Sequence, residues 1–283
     1  MTDARGREPR PDRAPGVTLL VGCGRVATRL GHRLAAEGGE VIAVRRRGAD
    51  LPAGFRALVH DLDEPFPAGL PAVDSMVVTL PPGGGAPGRV GSTGYRARLS
   101  HLAAALPAVP TRTVFVSSTG VFERKGAGPV DESVQPHPTS PRGQELREGE
   151  RAARELFGAA IVRPAGIYGP GREHLVRQVR TGAEVDYSRR TNRIHEADLA
   201  RAIDRVLRMA EPPAVLHAVD ACPALLGDVV TFIADELGLP HPPRAPALHE
   251  GIVLDGRLLR SVLGELEFPD YRRGYRDLLG RRP

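Results

Sequence analysis

Apolar and polar positions change in blocks along this chain rather than residue by residue. Short, nearly unbroken apolar runs stand at 17–21 (VTLLV), 40–44 (EVIAV), 57–60, 75–80 (SMVVTL), 113–117 (TVFVS) and 160–163. Stretches with helical spacing lie between them. From about residue 25 to 37, Val26, Leu30 and Leu34 recur every four residues and share one helical face. A second helix is predicted over about 94–106. A third runs from Pro141 to about Phe157, with proline at its first position and Ser140 as its N-cap. Continuous apolar strands alternating with helices mark a sheet covered on both faces. The pattern therefore predicts an α/β fold with a doubly wound parallel sheet. Further along, a helix to about Met209, an apolar run at 215–219 and an amphipathic helix over 224–237 are followed by a Pro-rich link and a basic tail carrying Tyr271 and Tyr275.

A chain of 283 residues with 41% hydrophobic residues can bury a sizeable core, enough for one large α/β domain with a small lobe. No apolar run approaches the roughly 18 residues of a membrane span. The N-terminal MTDARGREPRPDRAPG is polar, reads as a disordered tail over 1–16, and has no secretion-signal core, so a cytoplasmic location is expected. Two cysteines, Cys23 and Cys222, give neither a disulfide framework nor a CxxC metal cluster. The net charge of +5 comes from a chain whose only lysine is Lys125, the remaining basic residues being arginine. These arginines are interspersed with acids rather than gathered on one face, so neither nucleic acid nor membrane is expected as a partner.

The first strand-to-helix turn changes the picture most. VTLLVGCGRVATRL reads as strand, then Gly22-x-Gly24-x-x-Ala27, then helix, which is the dinucleotide-binding fingerprint in its Gly/Ala form. Gly22 allows a tight turn, Gly24 lets a pyrophosphate approach the backbone, and Ala27 permits close helix–strand packing. Arg25, Val26 and Ala27 would offer free N–H groups at the positive end of the helix dipole. An ordinary strand–helix turn would use the same glycines, so the motif alone does not decide. Past the second strand, where an NAD site carries an acid, stand Arg45, Arg46 and Arg47. A guanidinium fork binds a 2′-phosphate that an acid would repel, which favours NADP over NAD. A solvated loop in an arginine-rich chain is the alternative.

With these motifs in place the chain resembles the extended short-chain dehydrogenase/reductases, in the epimerase/dehydratase group, over residues 17 to about 220. The resemblance rests on Gly22, Gly24 and Ala27, on Asp61-Leu62, and on VFVSSTGVFE at 114–123. It rests also on DES at 131–133, PTSPRG at 138–143, IVRPAGIYGPGR at 161–172 and NRIHEADLA at 192–200. It implies a dinucleotide-binding domain over 17–170 and a C-terminal substrate lobe over 171–283 interleaved with the main sheet. Asp61 and Leu62 would lie near the adenine, and Thr79, Leu80 and Pro81 along the cofactor ribose. Ser117, Pro164, Gly166 and Ile167 would pass the nicotinamide, while Thr119, Arg193 and His195 would face the substrate.

The chain departs from that family where its chemistry lies. The family's Tyr-x-x-x-Lys pair exchanges a proton during hydride transfer. Here Arg142 stands at the tyrosine position and Leu146 at the lysine position, and no Tyr-x-x-x-Lys occurs anywhere. The companion hydroxyl is retained as Ser118. Candidate catalytic residues are therefore Ser118 to orient a substrate oxygen, Arg142 to support negative charge, and Tyr168 as a substitute proton donor, with packing as Tyr168's alternative role. No metal site is expected: His195, Glu196 and Asp198 open a helix, where acids suit the first turn. Two functions follow. One is an atypical NADP-dependent oxidoreductase or epimerase-like enzyme acting on a sugar nucleotide or a small carbonyl or hydroxyl compound. The other is a catalytically silent dinucleotide-binding sensor or partner-binding protein. The polar 141–157 helix, with Arg142, Arg147, Glu148, Arg151 and Arg154, argues for a monomer or weak homodimer.

Overall fold

A computed structural model describes residues 16–46, 51–83, 94–123, 129–247 and 251–281. The polar stretch before residue 16, Arg47 and Lys125 lie outside them. The chain begins with β1 (Val17–Val21), α1 (Arg25–Ala36), β2 (Glu40–Arg45), β3 (Phe55–Val59) and β4 (Ser75–Val78). It continues through α2 (Tyr95–Ala105), β5 (Arg112–Val116), β6 (Pro129–Val130), α3 (Pro141–Phe157), β7 (Ala160–Pro164), β8 (Gly166–Tyr168) and α4 (His174–Thr181). The remainder holds β9 (Arg190–Thr191), β10 (Arg193–His195), α5 (Glu196–Arg208), β11 (Val215–Ala218), β12 (Ala224–Leu225), α6 (Leu226–Leu237), β13 (Val253–Leu254), α7 (Arg257–Leu263) and α8 (Tyr271–Leu278).

Seven strands form one sheet in the order β11-β7-β5-β4-β1-β2-β3, every pair parallel. The chain enters at β1, winds outward to β3, then returns to build the other half from β4. The reversal falls between β1 and β4, and the crevice beyond the carboxyl ends of two such strands is where doubly wound sheets bind ligands. Side chains alternate between two cores, as the period of two requires. Leu19, Val21, Met76, Val78 and Phe115 pack with Tyr95, Leu99 and Leu146 from α2 and α3. Leu20, Val77 and Val114 pack with Leu30, Leu34, Leu199, Ile203 and Leu259 from α1, α5 and α7. A third cluster joins α4, α6 and α8 through Val176, Val179, Val229, Ile233, Tyr271 and Tyr275.

The expected start of α3 is realised: Ser140 Oγ accepts from the Gly143 N–H at 3.1 Å, and Gly158 ends the helix in the left-handed region at φ 61°. Other boundaries move. The third strand lies two residues earlier than its apolar run, because it is an edge strand with exposed side chains. The helix expected from residue 224 begins at Leu226, since Ala224 and Leu225 pair with β9 instead. The C-terminal segment returns to the body of the molecule. Asn192 bonds the Ile252 carbonyl at 2.7 Å and the Leu254 N–H at 2.9 Å, and Asp198 accepts from the Glu267 and Phe268 N–H groups. Among the described residues no helix is long and apolar enough to cross a membrane.

Candidate functional site

The β1–α1 turn is built as the glycine spacing requires. Gly22 has φ +81°, and a Cβ there would lie 2.9 Å from Leu80 Cδ2, so only glycine fits. Thr79 Oγ1 donates to the Gly22 carbonyl at 2.5 Å, fastening the turn to the end of β4. Gly24 differs: a Cβ there meets nothing nearer than the Gly22 carbonyl oxygen at 3.9 Å. Its open side faces a cleft. No side chain caps α1, and its first turn holds no acid, so the N–H groups of Arg25, Val26 and Ala27 are presented bare at the positive helix end. That combination fits a dinucleotide pyrophosphate.

The cleft, about 250 Å³, joins this helix end to the carboxyl ends of β4, β5 and β7. One wall is Gly24, Arg25, Val26 and Ala27, and the floor is Thr79, Leu80 and Pro81. The far wall is Ser117, Ser118, Arg142, Pro164 and Ile167. Thus most expected cofactor residues, together with Ser118 and Arg142, meet in one place. Pro82, Val116, Leu146, Ala165, Leu199 and Arg172 complete the lining. Arg172 had no signal as a site residue beyond its place at the end of the IVRPAGIYGPGR motif. A larger groove of about 840 Å³ runs along the outer face of α3 past Arg147 and Arg151, away from the strand ends. The strand-end cleft, smaller as it is, brings the fingerprint turn, Ser118 and Arg142 together.

The two adjacent serines are used differently. Ser117 is buried and its Oγ donates to the Glu150 carboxylate at 2.8 Å. Glu150 also takes two bonds from Arg163, at 2.8 Å each, and one from Arg147 at 3.1 Å. Burial pushes the Glu150 carboxyl up, but Arg163, Ser117 and Arg147 outweigh it and hold the group below the usual carboxylate range. Ser117 is therefore a strut beneath the cleft. Ser118 Oγ accepts from the Gly120 N–H at 3.0 Å, which leaves its own proton available to a ligand in the cleft. On the same side, Arg142 and Leu146 stand four residues apart on one face of α3.

Several expected residues lie outside the cleft lining. Arg45 ends β2 and Arg46 follows it, beside the fingerprint turn, whose Gly22 N–H bonds the Val44 carbonyl. Asp61 follows β3, its Oδ1 accepting from the Asp63 N–H, while Leu62 is buried in the core under α2. Thr119 begins the short turn after Ser118, and Gly166 is tied through its N–H to the Asn192 carbonyl. Arg193 and His195 are buried in β10, which pairs with β8. His195 Nδ1 accepts from the Ala197 N–H and so caps α5, and burial lowers its pKa. Tyr168 is 4% exposed, stacks on Tyr275 at 4.9 Å and contacts the His195 ring at 5.2 Å. Burial, then Asp220 and Tyr275, push its phenol far up. Its hydroxyl occupies the space that a side chain on Gly274 would need. Tyr168 thus packs in the third core and is not among the residues that line the cleft. Among the described residues no three His, Cys, Asp or Glu side chains gather as metal ligands.

No protein-family model and no curated protein matches this sequence. Solved structures do. A protein of Methylobacillus flagellatus described as an NAD-dependent epimerase/dehydratase is 28% identical, covers 95% of this chain and 98% of its own, and superposes with a TM-score of 0.77. A functionally unknown conserved protein from Silicibacter pomeroyi is 24% identical over 94% of this chain and 99% of its own, with a TM-score of 0.76. MoeE5 in complex with UDP-glucuronic acid and NAD is 21% identical over 94% and 97%, with a TM-score of 0.71. In fold the chain is similar to these proteins, the Methylobacillus flagellatus one being described as an NAD-dependent epimerase/dehydratase.

Proposed function

We propose that the chain is an NADP-dependent oxidoreductase of the epimerase/dehydratase type, acting on a sugar nucleotide or a small carbonyl or hydroxyl compound with non-standard acid/base residues. The observation that carries this reading is one continuous cleft. It runs from the bare N-terminus of α1, beside the open side of Gly24, to the free hydroxyl proton of Ser118. The neighbours support a nicotinamide dinucleotide there, and Arg45 and Arg46 at the end of β2 support the 2′-phosphorylated form. NADPH, when bound, supplies a hydride to a carbonyl carbon.

This chain's residues do the rest. Pro164, Ala165 and Ile167 form an apolar wall that excludes water from one side of the reacting centre. Ser118 donates a hydrogen bond to the substrate oxygen, and Arg142 makes that end of the cleft positive. Among the described lining residues there is no histidine, cysteine or carboxylate, so the proton that completes a reduction comes from solvent. The same feature favours a second reading, a dinucleotide-binding sensor without turnover.

Titration with NADPH and NADH tests the cofactor. NADPH should bind roughly tenfold tighter or more, about 1.4 kcal/mol, and Arg45→Ala with Arg46→Ala should remove that margin without weakening NADH. Equal affinities in the unaltered protein would refute the NADP reading. Tight NADPH binding without turnover on sugar nucleotides or simple carbonyl compounds would move the function to the sensor.

A further inference from the structure

The charges of the cleft are one-sided. Arg25, Arg142 and Arg172 line it, and no carboxylate does among the described residues. Arg25 sits on the first residue of α1 and reaches across to the Pro170 carbonyl at 2.6 Å, lying against Gly171. Arg172 follows that loop. These two arginines and the α1 N-terminus form the pyrophosphate end of the cleft.

Arg142 belongs to the other end, with Ser118 and Leu146, and a dinucleotide pyrophosphate leaves it unused. Its position is electrostatically unfavourable: it is the second residue of α3, whose first turn holds no acid, and a cation there opposes the helix dipole. The carboxylates around this helix start are committed elsewhere. Glu123 accepts from the Thr139 and Ser140 N–H groups, and Glu145 accepts from the Gly83 N–H. Among the described residues the Arg142 side chain has no hydrogen bond or ion pair.

Resting on the oxidoreductase reading above, we infer that Arg142 anchors a carboxylate of the substrate, so that this site takes a carbonyl or hydroxyl acid. The planar guanidinium fork matches two carboxylate oxygens. A phosphate presents three acceptor oxygens, whereas beside Arg142 the described lining offers few side-chain donors. The Ser117 hydroxyl is spent on Glu150 and that of Thr79 on Gly22, which leaves Ser118 as the free side-chain hydroxyl beside Arg142. The buried Leu146 and the Pro164–Ile167 wall likewise suit a small, partly apolar molecule. Ser118 then takes the carbonyl or hydroxyl oxygen while Arg142 holds the acid group.

The test titrates the protein–NADP⁺ complex with pyruvate, 2-oxobutyrate and acetoacetate, their methyl esters, and inorganic phosphate. NADPH consumption is followed with the same probes. The acids should bind roughly tenfold tighter than the esters, or more. Arg142→Gln should erase that preference while changing NADPH affinity by less than about twofold, and Arg142→Lys should restore part of it. Esters binding as well as acids, phosphate binding better than every acid, or an unchanged preference in Arg142→Gln would overturn the inference. NADPH affinity distinguishes the failures. If it is intact, only the carboxylate anchor falls; if it is absent, the cofactor reading falls with it.

Discussion

Replacing Glu150 by glutamine keeps the shape of the side chain and removes its charge, and the surroundings set the cost. The carboxylate is 0% exposed and receives bonds from Ser117, Arg147 and, twice, Arg163. Arg163 is itself 2% exposed, lies over the Phe122 ring at 5.3 Å, and meets no other acid within ion-pair distance among the described residues. Without Glu150 its charge stays buried and uncompensated. Removing one partner of a buried pair costs about 3–5 kcal/mol, and because glutamine retains part of the bonding we expect about 3. At roughly 2–4 °C per kcal/mol for a chain of this order, the melting temperature should fall by about 6–12 °C. The companion Arg163→Met alone strands the carboxylate, whereas Glu150→Leu with Arg163→Met removes both charges and should be close to wild type. Urea unfolding of the four proteins reads all of this. A Glu150→Gln cost below about 1 kcal/mol, or a double variant no better than the singles, would refute the reasoning.

Further consequences are testable separately. Ser118→Ala should lower turnover by about one to three orders of magnitude, the range for losing one preorganised donor, while Tyr168→Phe should leave turnover unchanged because the phenol packs in the third core. His217 is buried against Phe122 and close to Arg163, and burial first, then Arg163, lowers its pKa to about 4. The unfolded histidine binds a proton near pH 6.5 and the folded one does not, so its contribution is complete above pH 6.5. It is lost as pH falls toward 4, with a slope of up to about 1.4 kcal/mol per pH unit that His217→Leu should remove in acid-dependent unfolding. Glu148 and Glu155 bind Arg96 and Arg151 across the outer face of α2 and α3 within the chain, leaving that face charged, so sedimentation should show a monomer or weak dimer. A dimer persisting at nanomolar concentration in high salt would contradict this.

The sheet was legible because buried parallel strands must be apolar on both faces, and the cap of α3 because Ser-Pro chemistry is local. The fingerprint turn was legible for the same reason: its glycines answer to backbone geometry two to five residues away. What lay hidden depends on contacts far apart in sequence. Asp198 read as an ordinary acid in a first helical turn, yet it holds the backbone of Glu267 and Phe268 about seventy residues on. Asn192 similarly clasps the strand at 253–254. Tyr168 follows β7 closely enough to be placed at the nicotinamide by sequence distance, but β8 turns it into the third core. Arg172 carried no local signal as a wall of the cleft, since only the fold brings the 170–172 loop against Arg25.

The central claim is that a nicotinamide dinucleotide lies against the β1–α1 turn, and Gly24→Val tests it most directly. The glycine has φ −88° and open space beside it, so the fold should tolerate valine within about 1 kcal/mol in a thermal melt. The added side chain would occupy the approach to the α1 N–H groups. Calorimetric titration should show NADPH affinity falling by roughly a hundredfold or more, about 2.7 kcal/mol. A folded Gly24→Val protein that binds NADPH as the unaltered protein does would contradict the account.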